Sequence, residues 1–431
     1  MAAKPDVAVV GGGAIGVCCA YELAGRGASV VLLERGPGLA SGCSAGSAGL
    51  ICPSHSTPIS NPVSLRNGLR WLWKRDSPFY LRPRPAVLPW LARFALAARH
   101  WEEGARVIRR LSIESLQLHA ELGEQLGTTF RRTGTLNVYA TADALSSAAE
   151  EAERSGLRFA VLDGEETRAL EPSLAGPIEG AVNYPDEGSV DSKAFVEAVG
   201  RGAAEAGVDI RTGVEVRSLD DLNAETIVVA AGAWSRTLVR LPLEGGKGYH
   251  LDFELSADDP RIPAWLQETW TIATPLPGLE ASQAKPATPG LKTGAPAAPP
   301  GLEASQAKPA TPGLKTGAPA APPGRLRLSG TLELAGLDLS ISQPRVDTIR
   351  RGGERWFRGL AGRPVLDTWA GLRPCLPDGL PAIGRAGRVI IATGHAMKGV
   401  SLAPVTGRLV AQLAAGEEPA HDLAPFDPNR F

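Results

Sequence analysis

What the chain lacks narrows it first. Its 431 residues include five cysteines, and no two of these stand in a CxxC or zinc-like spacing. Cys18 and Cys19 are adjacent, whereas Cys43, Cys52 and Cys375 are scattered. The pattern reads as reduced thiols in a cytosolic setting, and it speaks against a dithiol reductase. An excess of one charge is missing too: 45 Lys and Arg face 46 Asp and Glu, a formal net charge of -1. The chain as a whole therefore has no electrostatic reason to bind nucleic acid or an acidic membrane. No apolar run approaches the roughly 20 residues of a membrane span. The first such run, from Asp6, is broken by glycines too early for a secretory signal. The expectation is a cytoplasmic protein, attached to the inner membrane's cytoplasmic face peripherally at most.

The length is enough for two or three domains with a sizeable core. One segment stands apart. From Pro277 the sequence reads PGLEASQAKPATPGLKTGAPAAP, and from Pro300, 23 residues on, it reads the same again. Leucine is its one large apolar residue, so it cannot bury enough surface to offset ordering entropy. Residues 278–324 are read as a disordered Pro/Ala-rich insertion. TWTIATPL before it and RLRLSGTLEL after it both have strand character. Without the insert they would form a hairpin.

The N-terminus carries the densest signal. Asp6 to Val10 is a short buried strand, and Gly11-Gly-Gly-Ala14-Ile15-Gly16 follows. A small-residue helix comes next, then a second strand, SVVLL, closed by Glu34 and Arg35. Gly11, Gly13 and Gly16 thus fit GxGxxG in its required context of strand, turn and helix. Gly11 permits the turn, Gly13 lets backbone approach a pyrophosphate, and Gly16 brings helix against strand. The helix N-terminus offers unpaired N–H groups to phosphates, and Glu34 stands where a carboxylate accepts from a ribose. The fingerprint alone does not choose between FAD and NAD.

Further segments carry a resemblance. VAVVGGGAIG, SGCSAGSAGL at 41–50, GVEV at 213–216, VVAAGAWS at 228–235 and KGYH at 247–250 are five of its blocks. WAGLRPCLPDGLPAIG and ATGHAMKGVSLAPVTG complete it near the C-terminus. Together they resemble the FAD-dependent D-amino-acid oxidase and dehydrogenase family, with glycine and sarcosine oxidases as cousins. LRWLWK, SPFYLRPRP and LPWLARF, within 69–94, are most similar to the bacterial D-amino-acid dehydrogenases. The resemblance implies FAD as cofactor. It places the loop of Ser41, Ser47, Ala48 and Gly49 beside the flavin, and Val216 near the adenine through its backbone. Ala231, Gly232 and Trp234 would close over the cofactor. Gly394, His395, Lys398, Gly399 and Val400 would bring a helix N-terminus to the flavin's pyrimidine edge, where a dipole and Lys398 favour negative charge.

WAGLRPCLPDG sets Arg373 alone among uncharged residues, with Asp378 as the one other charge. By resemblance Arg373 is the clamp on a substrate carboxylate, a task suited to the parallel donors of a guanidinium. The alternative is a structural ion pair with Asp378 or another acid. Tyr249, in KGYH, is the candidate second contact to carboxylate or amine, or else an aromatic packed on its sheet. No acid/base pair is apparent, and the implied chemistry needs none: hydride passes from the α-carbon to flavin N5 once the amine is neutral.

Leu69 to His100 reads as helical, with Trp71, Trp73 and Trp90 among basic residues. It could lie on a membrane and pass electrons to quinone. Pro83, Pro85 and Pro89 favour packed helices instead.

The expected architecture is α/β: a Rossmann-like FAD-binding domain from residues 1–60, 188–240 and 365–431. A discontinuous α+β substrate domain with a mixed sheet takes 61–187 and 241–364. The expected activity is oxidative deamination of a D-amino acid, or of a cyclic secondary amino acid such as a D-proline derivative, with O2 or a quinone-type acceptor. A glycine or sarcosine oxidase, and a flavoprotein that binds FAD for assembly without turnover, are the alternatives.

Overall fold

The computed structural model describes residues 4–71, 79–81, 84–278 and 324–431. In chain order the first strands are Val7–Val10 (β1), Val30–Glu34 (β2), Leu50–Ile51 (β3), Phe79–Leu81 (β4), Thr135–Tyr139 (β5) and Ala160–Asp163 (β6). Gly180–Tyr184 (β7), Gly188–Ser189 (β8), Asp209–Thr212 (β9), Thr226–Val229 (β10) and Glu244–Glu254 (β11) follow. Ala264–Leu266 (β12), Thr271–Leu276 (β13), Arg325–Leu334 (β14), Asp367–Cys375 (β15), Ala382–Ala386 (β16) and Val389–Thr393 (β17) complete them. The helices begin with Ala14–Gly25 (α1), Pro62–Trp71 (α2), Leu88–Ala97 (α3), Trp101–Leu126 (α4) and Ala142–Ser155 (α5). Gly164–Leu170 (α6), Ser192–Glu205 (α7), Gln343–Trp356 (α8) and Ala403–Ala415 (α9) come after.

Six strands form one sheet in the order β16-β17-β10-β1-β2-β9. Its interior pairs are parallel and only the β16 edge is antiparallel. Every residue of β1, β2 and β10 is buried, as expected of strands covered by helices on both faces. α1 and α9 meet closely because Gly407 has no side chain: a Cβ there would lie 2.7 Å from the Cys18 carbonyl. Cys18 and Cys19 are therefore core residues, and all five cysteines are free thiols.

The second sheet has nine strands, in the order β15-β11-β14-β13-β12-β5-β7-β6, with β4 paired to β14. Parallel and antiparallel pairs are mixed in it. β13 and β14 pair antiparallel with Leu276 opposite Arg325. The tandem repeat between them lies outside the described residues.

The stretch expected to be helical up to His100 is not continuous. α2 ends at Trp71 and α3 begins at Leu88, while Phe79–Leu81 adds a parallel strand to β14. Trp73 falls outside the described residues. Trp90 is buried, and its indole N–H donates to the Cys375 carbonyl at 3.2 Å. No described helix is long and apolar enough to cross a membrane.

Candidate functional site

One cavity of about 1040 Å³ runs between the two sheets. At its first end β1 gives way to Gly11, whose φ of 112° only glycine adopts comfortably. A Cβ on Gly16 would lie 1.8 Å from the Gly11 carbonyl oxygen, so only glycine lets α1 start against this turn. α1 has Gly13 as N-cap, no side-chain cap and no acid in its first turn. Its positive end is therefore open to an anion. Ser44 Oγ accepts from the Ala14 N–H at 3.0 Å, and Ile15 follows on the cavity wall. Glu34 is buried, with one carboxylate oxygen held by the Gly12 N–H and the other by the Gly36 N–H, each at 2.6 Å. Its remaining lone pairs line the cavity, where a ribose hydroxyl would donate. Arg35 lies 3.6 Å over the Trp234 ring. These groups fit the adenosine and pyrophosphate of FAD.

Ser41, Ser47, Ala48, Val216, Ala231, Gly232, Trp234, His395, Lys398, Gly399 and Val400 line the same cavity. Gly49 and Gly394 stand back from it. A Cβ on Gly49 would meet the Val190 carbonyl at 2.0 Å, and one on Gly394 would meet Leu376 at 2.4 Å. Both are packing positions that let their loops pass. The loop around Gly46 is tied to the second sheet by its own backbone. The carbonyls of Ala45 and Ser47 accept from Arg327 Nη1 at 3.1 and 3.0 Å, and Gly46 O faces His250 Nδ1 at 3.2 Å. Trp369 stacks on His250, 5.2 Å between centroids, and leaves no room for a side chain at position 46. Arg327 in turn forks onto Asp252 with two bonds of 2.8 Å.

Arg373 sits on β15 opposite Gly246 of β11, so its side chain shares the face of Gly246, Gly248 and His250. The guanidinium lies across Gly248, where a Cβ would be 2.3 Å away. Nη1 donates to the Thr331 carbonyl at 2.8 Å. Thr331 has φ of 58° at a bulge in the β11–β14 ladder; the local twist re-aims its carbonyl. No carboxylate pairs with Arg373 among the described residues, because Asp378 is held by Arg430 at 2.6 Å. Burial pulls the guanidinium pKa down, opposed by the thiols of Cys43 and Cys375; an arginine nevertheless stays charged. The result is a half-buried cation with one carbonyl partner and the rest of its donors at the cavity wall.

Tyr249 is displaced from its expected role. It neighbours Gly248 on β11, so its side chain points to the opposite face from Arg373. There it is buried among Leu251, Phe253 and the residues of α8. Its hydroxyl donates to Glu333 at 2.8 Å, and Lys247 Nζ stands 3.6 Å from the same carboxylate. Burial, then Glu333, raise the phenol pKa. Tyr249 still borders the cavity, but its hydroxyl is engaged by Glu333 and its ring lies on the face away from Arg373.

The C-terminal motif is also arranged differently. After β17 a single 3-10 turn, Ala396–Lys398, precedes α9, which begins only at Ala403. The expected helix N-terminus is thus not at Gly394 and His395. The His395 ring is buried against Thr406 Oγ1 at 3.0 Å, and burial pushes its pKa down to about 3. It is a neutral structural imidazole. Lys398 reaches the cavity, where burial lowers its pKa to about 8 against the opposing influence of Cys52 and Glu187.

Several site residues have no motif. His55 faces Asn137 Oδ1 at 2.8 Å and meets Trp265 edge-on at 4.2 Å. Burial, then the charge of Lys398, push its pKa down to about 3. Buried Glu187 accepts from the Ser54 N–H at 2.6 Å, Ser54 Oγ at 2.9 Å and Thr135 Oγ1 at 2.5 Å. Arg109 of α4 lines the far end.

The chain resembles known proteins over nearly its whole length. The chain is similar to the D-amino acid dehydrogenases of Methylobacterium radiotolerans, 28% identical over 97% of this chain and 98% of that one, and Agrobacterium fabrum, 27% identical with the same coverage. Its fold matches glycine oxidase from Geobacillus kaustophilus with a TM-score of 0.71 at 22% identity, covering 99% of each chain. L-proline dehydrogenase from P. horikoshii matches with a TM-score of 0.72 at 18% identity, over 100% of this chain and 98% of that one. The model of the FAD dependent oxidoreductase family spans residues 6–413. With the Gly11 turn, the open end of α1 and Glu34 in place, the chain belongs to that family, and its cofactor is FAD.

Proposed function

We propose that the chain oxidises D-amino acids, cyclic secondary ones such as D-proline derivatives included, to imino acids that water then hydrolyses. The observation that carries this reading is Arg373: a guanidinium in the cavity wall with no carboxylate partner among the described residues. A substrate carboxylate supplies the missing partner through parallel charge-assisted bonds. The name of the relatives at 27–28% identity supports an amino acid of D configuration.

The residues divide the work. Gly248 gives the guanidinium its berth, and the Thr331 carbonyl holds one of its donors. Trp265 and Ile272 wall the cavity on neighbouring strands and keep the substrate's carbon skeleton out of bulk water. Lys398 places a positive charge on the cavity wall below about pH 8. Bound FAD supplies the two-electron acceptor for the hydride from the α-carbon. The α-ammonium gives its proton to solvent beforehand, and catalysis comes from orientation.

Anaerobic mixing of the yellow protein with D- and L-alanine and D- and L-proline tests this through bleaching of the flavin band. Bleaching by the D isomers is the expected result. Bleaching by L isomers, or by glycine and N-methylglycine alone, refutes the D-amino-acid reading. Admitting air afterwards separates O2 from a quinone-type acceptor. Arg373→Met should lower kcat/KM on the order of a thousandfold, from loss of two charge-assisted bonds, while FAD stays bound.

A further inference from the structure

The cavity does not stop at the wall around Arg373. It continues along the second sheet to β5 and β7, where Tyr139 and Tyr184 lie under α5. From β15 to β5 is five strand steps, roughly 24 Å at about 4.8 Å per step. One small amino acid cannot touch both ends. At the far end α4 contributes Arg109 and α5 contributes Glu151, and both line the cavity.

These two opposite charges are not spent on each other. Glu151 accepts from Thr57 Oγ1 at 3.0 Å, and no ion pair joins it to Arg109 among the described residues. Arg109 Nε is buried with no hydrogen-bond partner. Both act on the same phenol: burial raises the Tyr184 pKa most, Glu187 and then Glu151 add to it, and Arg109 opposes them. Arg109, Glu151 and Tyr184 thus line one stretch of the cavity, with no ion pair between the two charges among the described residues.

We propose that the far end is an outer binding site for an amino-acid zwitterion, Arg109 taking the carboxylate and Glu151 the ammonium. Lys398, whose charge Arg109 disfavours, lines the same cavity. The inference rests on the reading that an amino acid is the substrate. It adds a second station that Arg373 does not provide.

The test separates the two. Saturation-transfer NMR of alanine, either enantiomer, is recorded on the FAD-loaded Arg373→Met protein, whose inner clamp is disabled. The alanine signal should persist there. It should weaken about fivefold on adding Arg109→Met or Glu151→Gln, the loss expected of a partly exposed charge contact. Arg109→Lys, which keeps the charge, should keep the signal, whereas propionate and ethylamine, with one charge each, should give weaker ones. In the Arg373-intact enzyme, the Arg109→Met change should lower kcat/KM more than kcat. A signal abolished by Arg373→Met alone, or indifferent to Arg109→Met and Glu151→Gln, overturns the outer site. If no amino acid bleaches the flavin while the NMR pattern holds, the substrate reading fails and the outer site stands.

Discussion

The two sheets present different parts of the chain to the cavity. The six-stranded sheet works with backbone: the Gly11 turn, the bare end of α1, and N–H groups that fix Glu34 from either side. The nine-stranded sheet works with side chains brought from distant strands: Arg373 on β15, Trp265 on β12, Asn137 on β5. Backbone recognition tolerates no side chain at a few glycines and is nearly indifferent elsewhere. Side-chain recognition depends on which face each residue happens to occupy.

That contrast can be broken most severely at Gly16. Gly16→Ala puts a Cβ 1.8 Å from the Gly11 oxygen, so the protein should purify with little FAD, read from its flavin-to-protein absorbance ratio. Gly248→Ala should do the converse. Its Cβ would lie 2.3 Å from the Arg373 guanidinium, so kcat/KM should fall on the order of a hundredfold, as for an ångström of misplacement, with FAD content unchanged. Normal kinetics in that variant would mean the guanidinium is not held where the strand pairing puts it.

Lys398 offers a subtler probe. Its folded pKa of about 8 lies below the usual lysine value, so its charge is present below about pH 8 and lost above. The same shift destabilises the fold as pH drops from the ordinary lysine range to about 8, and the penalty is constant below that. Replacing it with methionine should lower the midpoint potential of bound FAD at pH 7 by about 30 mV, a tenfold change for a two-electron couple. The difference between the two proteins should shrink as pH rises past 8. The smallest effect belongs to Tyr249→Phe. It removes one buried bond to Glu333 and should lower stability by about 1 kcal/mol, seen in Tm, with KM untouched. A raised KM would return Tyr249 to the site.

These differences explain what the sequence disclosed. Gly11 to Gly16 and Glu34 are legible because their contacts are local, within one strand-turn-helix-strand unit. The β13–β14 hairpin is legible because both of its strands carry their own pattern. Arg373 stands out as an unpaired charge in an apolar run. Tyr249 misleads because a strand's neighbours face opposite ways, and only register shows which side holds the cavity. His55, Arg109, Glu151 and Glu187 are ordinary polar residues in one dimension, and only the sheet order assembles them. Phe79–Leu81, a three-residue strand in proline-rich surroundings, has too little pattern to be seen.

The backbone carbonyls of Ala45, Gly46 and Ser47 face Arg327 and His250 across the gap between the sheets. For anyone recombining this chain with a relative, the halves are consequently not interchangeable parts. A chimera that takes the loop from one parent and the Arg327–Asp252 fork from the other inherits a latch without its keeper. The crossover has to carry both, or neither.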